Sequence, residues 1–237
     1  MAARPTRIET PKDAERFLER HGIALRYAAT KSLPLASVRS AAGAESKAAL
    51  VASIELTNHL LASGLGIEIN VVADRLALVH RSLLPALLVL VRRGRRADDL
   101  DGLTMNARAA HALLRQQRQI SAGELRRHLG LRSDPRHDPA YEALAELQRA
   151  LLVGRGPFEV TNSAIPYLSQ EGYPYYLLHE RHADLVRQAR ALSADSAADR
   201  WLGRYLAAAP AVTPRKLASM FRRFLTADEI TRALARL

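Results

Sequence analysis

One stretch, LTMNARAAHALLRQQRQISAGELRRHLG from Leu103 to Gly130, restricts the fold more than any other. Thr104 is placed to cap a helix whose apolar positions Met105, Ala109, Ala112 and Leu113 share one face. Ser121 and Glu124 then form an S-x-x-E capping box. Ala122, Leu125 and Leu129 supply a short inner stripe, and Gly130 gives a left-handed stop. Two helices separated by so few residues must turn sharply against each other. After LRSDPRH, Asp138 and Pro139 open DPAYEALAELQRALL, with Ala140, Leu144, Leu147 and Leu151 along one side. LLVGRGPFEV and YPYYLL are expected to pair as strands across a polar excursion containing Gly172. Helix, short helix, helix and hairpin is the order of a winged helix.

The flanking segments extend this reading. Thr10 and Pro11 open a helix reaching about Arg20, with Ala14, Phe17 and Leu18 inward. IALRYAATKSLPLASV breaks the pattern. A longer helix is expected from about Ser46 to Ala62, carrying Leu50, Ile54, Thr57 and Leu61, and Gly64 and Gly66 end it. IEINVV and RLALVH alternate as a hairpin about Ala73-Asp74, a turn without the preferred glycine. The C-terminal part offers two packing helices, then Thr213-Pro214 before TPRKLASMFRRF and a Thr226/Glu229 box before the last helix. The expectation is a mainly α chain with short β-hairpins, built from tandem winged-helix and helix-turn-helix units. These divide as 1–100, N-terminal helical and winged-helix-like; 101–180, central winged helix; and 181–237, C-terminal helix-turn-helix unit.

Charge points to the partner. The net charge is +11, and only Lys12, Lys31, Lys47 and Lys216 are lysine, so the excess is arginine. Clustered cations neutralise phosphates and release counterions, which makes duplex DNA the expected partner. In the central unit the basic residues fall on the short helix and the turn after it, Arg126, Arg127, Arg132 and Arg136, whereas the third helix sets Asp138, Glu142 and Glu146 against Arg149. The C-terminal unit repeats the imbalance, with Arg215, Lys216, Arg222 and Arg223 against Asp228 and Glu229. Both motifs therefore read as backbone grippers rather than base readers. Arg75, near the hairpin tip, is placed to reach a minor groove, and Arg81, Arg92, Arg93, Arg95 and Arg96 extend the positive surface.

Several chemistries are excluded or disfavoured. The absence of cysteine removes disulfides, thiolate zinc sites and thiol nucleophiles. No glycine-rich phosphate loop, nucleophile elbow or zincin motif occurs, so neither a cofactor nor a metal site is expected. His179 and His182 are three apart but lack a third ligand in the sequence nearby. Tyr167, Tyr173, Tyr175 and Tyr176 fit the underside of a wing better than a base-stacking platform. The apolar run SLLPALLVLV is too short to span a bilayer, and MAARPTRIETPKDAERF has no apolar core of an export signal. A cytoplasmic location, at the nucleoid in a bacterial cell, is the expectation.

SAGELRRHLG, followed by AYEALAELQRALLVGRG and later by TPRKLASMF, resembles the AlkZ-like winged-helix proteins, as does the LPLASV element. The resemblance covers most of the chain. It implies tandem winged helices whose concave face holds duplex DNA, and a role in repair or damage recognition, since the best-known members are glycosylases that release damaged or crosslinked bases. It also implies a Gln-x-Gln catalytic pair in the N-terminal domain, yet no glutamine precedes Gln116. Gln117 and Gln119 have that spacing, but stand far downstream, and in a continuous helix their side chains diverge by roughly 200°. The catalytic residues thus stay unknown. Glu55, Asn58 and Glu68 are the weak candidates, because carboxylates and amides can orient water. The alternatives are a winged-helix transcriptional regulator and a protein-interaction scaffold that does not bind DNA.

Overall fold

The computed structural model describes residues 7–27, 30, 33–43, 47–96, 98–132, 137–158, 172–209 and 212–237. It is mainly helical (58%), with a small antiparallel sheet of short strands. The first half runs α1 (Pro11–His21), β1 (Ile23–Ala24), α2 (Val38–Ala41), α3 (Lys47–Ala62), β2 (Gly66–Val72), β3 (Arg75–His80) and α4 (Leu84–Arg92). α5 (Met105–Gln117), β4 (Gln119–Ile120), α6 (Ala122–Leu129), α7 (Pro139–Arg149), β5 (Val153–Arg155) and β6 (Tyr175–Leu177) follow. The chain then continues as α8 (Leu178–Arg181), α9 (Ala183–Ala189), α10 (Ala194–Ala208), α11 (Pro214–Phe221) and α12 (Ala227–Arg236). The order helix, strand, helix, helix, strand, strand therefore occurs twice among the described residues, over 11–80 and over 105–177.

Local chemistry accounts for most of these elements. Thr10 and Asp13 exchange hydrogen bonds at the start of α1, and Ser121 with Glu124 and Thr226 with Glu229 do so at α6 and α12. Each box satisfies helix N–H groups that would otherwise lack partners. Gly130 closes α6 at φ 61°. The β2–β3 turn uses Ala73 and Asp74 at φ 51° and 59°, two left-handed residues in a row where Asn-Gly is the usual choice. β1 and α2 lie in the segment whose pattern breaks, and tertiary contacts create them: Ile23 and Ala24 pair with Val79 and Leu78, and Leu25 N–H donates to the Ala36 carbonyl.

The six strands of the described residues lie in the order β1-β3-β2-β5-β6-β4, every neighbouring pair antiparallel. Each repeat contributes three strands, and the two halves join edge to edge through β2 and β5, with Glu68 opposite Arg155. All seven residues of β2 are buried, because it lies inside the sheet with helices over both faces. At Gly154 on β5 an added Cβ would lie 2.7 Å from the Tyr176 hydroxyl, so the strand passes that ring only as glycine.

Three apolar clusters run through the described elements. The central unit has a core of its own, from Ala107 and Leu114 through Leu125, Leu144 and Val153 to Tyr175. α1, α2 and α3 pack with Ala24 and Leu78 on one face of the β1–β3–β2 half-sheet. On the opposite face Ile23, Ile67, Ile69 and Val79 join Leu84, Leu87 and Leu90 of α4 to Trp201, Tyr205, Phe221 and Ile230 of the C-terminal helices. Side chains of residues 181–237 therefore share a core with those of the first hundred, and Leu151 and Tyr176 reach into it. Phe221 anchors that junction, edge-on to Trp201 at 5.7 Å and to Tyr205 at 4.9 Å. Among the described residues no helix is long and apolar enough to cross a membrane.

Candidate nucleic-acid interface

The basic residues expected on the surface divide into several groups. Arg127 and Arg132 are exposed on α6 and just beyond it, whereas Arg126 is mostly buried. Its guanidinium donates to the carboxylate of Asp138, which at the same time caps α7 by accepting from the Ala140 and Tyr141 N–H groups at 3.1 and 3.3 Å. Arg126 thus ties the end of α6 to the start of α7. Arg136 lies outside the described residues. On α11, Thr213 caps through the Lys216 N–H; Arg215 is exposed and Lys216 half-buried. Arg222 and Arg223 follow in the next turn, both exposed. Arg223 pairs with Asp74 on the β2–β3 turn, beside exposed Arg75. The fold thereby brings the hairpin tip and the end of α11 together, a contact that nothing local in the sequence announces.

Arg149 and Arg223 border a common cavity of about 870 Å³ between the hairpin, α7 and α11. Its charge is mixed. Arg95, Arg149, Arg223 and His137 face Asp74, Asp101, Glu142 and Glu146. Glu146 is held in place, accepting from the Thr104 N–H at 3.1 Å and hydroxyl at 2.6 Å. Glu142 meets His137 at 2.8 Å. Such an acid-lined wall repels phosphate, so α7 is poorly suited to lie in a DNA groove.

Of the candidates for positioning water, Glu68 and Asn58 are engaged in structural contacts. Glu68 is 1% exposed and lies between Arg26, at 2.9 Å, and Arg155, at 3.4 Å. The Arg26 guanidinium also donates to the Tyr173 hydroxyl, and Arg155 stacks over the Tyr173 ring at 3.7 Å. Beside this group Gln148 donates to the Glu68 carbonyl and accepts from Asn70, each at 3.0 Å. One carboxylate between two buried guanidiniums, across the β2–β5 junction, makes a polar seam that fixes how the halves dock. Sequence reasoning missed it, because Glu68 and Asn70 alternate with Ile67 and Ile69 as a solvent-facing set would. Asn58 accepts from the Phe158 N–H at 3.0 Å and so clamps the strand end, and Glu55 is exposed on α3.

Gln117 ends α5, Arg118 turns the chain at φ 65°, and Gln119 enters β4 opposite Tyr176. Both glutamines are exposed, at the outer strand of the sheet. Tyr173, Tyr175 and Tyr176 are buried beneath it, and burial pushes the Tyr175 and Tyr176 hydroxyls up to about 12. Tyr167 lies outside the described residues. His182 is buried against the Tyr176 hydroxyl at 3.1 Å, and burial pushes its imidazole down to about 4. His179 lines a different groove, and among the described residues no three His, Asp or Glu side chains group as metal ligands do. No family model, curated protein or solved structure matches the chain.

Proposed function

We propose that this chain binds duplex DNA through its sugar-phosphate backbone, as two winged-helix units docked by their sheets, in DNA repair or damage recognition. The observation that carries this reading is the repeated helix–strand–helix–helix–strand–strand order, the order of a winged helix, in a chain of net charge +11. The exposed cations of α6 and α11, with Arg75 at the hairpin tip, suit phosphate contacts. The carboxylates along α7 disfavour base reading by that helix. Damage recognition rests on the resemblance to AlkZ-like proteins. Base excision is not part of the proposal, since Glu68 is consumed by the seam and Gln117 and Gln119 stand at an exposed edge.

The test is competition binding by fluorescence anisotropy, in a salt series, with an undamaged duplex displacing the same duplex carrying an abasic-site analogue. Preference for the lesion supports repair. Tight but indifferent binding supports the backbone grip and removes damage recognition, and no binding at physiological salt overturns the proposal. Arg127→Ala combined with Arg132→Ala should weaken binding alike on unrelated sequences and lower the salt slope by roughly 2. Arg126 is left intact in this variant, because its ion pair with Asp138 holds α6 against α7.

A further inference from the structure

A second concave site lies among α4, α5, the residues just before β5 and the α8–α9 pair; of the arginines expected to extend the positive surface it holds Arg92, Arg95 and Arg96, and it holds none of those on α6, α11 or the hairpin tip. It is a groove of about 880 Å³, a size suited to a small organic ligand and much too small for a duplex. Leu88, Leu152, Val186 and Leu192 contribute apolar surface. Five arginines and two carboxylates stand around it. Arg92 is committed to structure, since its guanidinium donates to the carbonyls of Ala150, Arg96 and Asp99. Arg96 is bonded to Asp98 at 2.9 Å, and Glu180 stands 4.0 Å from His179. Arg95, Arg115 and Arg190 are exposed and, among the described residues, have no ion-pair partner.

The histidines add a polar element to this lining. His111 is 3% exposed, and its Nε2 is buried with no hydrogen-bond partner among the described residues; the Nδ1 of His179 is in the same condition. Buried polar atoms of this kind are costly unless something bonds them. We infer that this groove is a binding site for a small amphiphilic anion, whose acidic head meets Arg115 and Arg190, whose apolar body lies on the leucines, and which hydrogen-bonds His111. A carboxylate on an aromatic body and a nucleoside monophosphate share this chemistry.

The experiment is isothermal titration calorimetry on the full chain with 1-naphthoate, AMP, inorganic phosphate and the neutral 1-naphthalenemethanol. One of the first two binds at a single site, at least about tenfold tighter than either phosphate or the neutral alcohol. Naphthoate above AMP identifies a carboxylate ligand, and AMP above naphthoate a nucleotide. Arg115→Ala with Arg190→Ala lowers that affinity by about tenfold or more while the melting temperature stays unchanged, because both side chains are exposed. Equal binding of inorganic phosphate, no binding of either organic anion, or an undiminished affinity in the double variant would overturn the assignment. The outcome is independent of whether the chain binds DNA.

Discussion

The cavity beside α7 and the groove beside α9 are almost equal in volume, about 870 and 880 Å³, and Arg95 borders both. Their electrostatics are opposed. Among the described residues four carboxylates outnumber three arginines in the first, and five arginines outnumber two carboxylates in the second. A chain of net charge +11 therefore does not present one uniform positive surface. The sign of each concavity is set by which helix lends its acidic residues to it, and α7 lends Glu142 and Glu146 to the first. Net charge brings a polyanion close to a protein; local carboxylates decide where it can settle.

Both concavities have walls from each side of the β2–β5 junction, so the largest expected effect comes from breaking the seam. Glu68→Ala leaves two buried guanidiniums facing each other without their counter-ion, and should cost about 3–5 kcal/mol in urea-denaturation stability. A loss below about 1 kcal/mol would show that the seam does not hold the halves together.

A smaller effect follows from pH and acts on the groove side. His182 precedes α9 and His111 lines the groove, and burial lowers both imidazoles. The unfolded chain takes up these protons near pH 6.5, whereas folded His182 does so only near 4. Between those values the unfolded state binds more protons. Stability is therefore complete above about pH 6.5 and declines as pH falls towards 4, by about 3 kcal/mol for His182. Melting curves across this range should show the decline, and His182→Gln should flatten it. An identical slope in the variant would assign the effect to other groups.

The smallest effect sharpens the contrast between the concavities. Glu142→Lys changes the α7 cavity by two charges at an exposed position and should raise duplex affinity a few-fold, with a salt slope steeper by about 1. Anisotropy titrations at two salt concentrations measure both quantities. Unaltered binding would place the phosphate path away from this cavity.

What could be read in the sequence was local. The Ser121–Glu124 box, the Thr104 and Asp138 caps and the apolar stripe of α7 place three helices from signals within a few residues of each end. The β2–β3 hairpin was legible by alternation, although its turn uses two non-glycine left-handed residues. β1 was not legible, since two residues carry no period and Val79, more than fifty positions later, makes them a strand. The site was less visible than the fold for the same reason. Arg126 and Arg127 are neighbours of one residue type, and only the position of Asp138 in space separates a structural cation from an exposed one. Arg26, Glu68 and Arg155 come from three distant segments, and no spacing rule connects them.

The merging of the C-terminal helices into the first core has a consequence in time. The chain leaves the N-terminal half after α4, builds the central unit, and from α8 onward lays its C-terminal helices on the first core. During synthesis the inward face of the β1–β3–β2 half-sheet must wait for Trp201, Tyr205 and Phe221, which are made after the central unit. The central unit needs no such wait, because its core closes by Leu177. The interior segment is thus able to fold ahead of the core that its two flanking segments build between them.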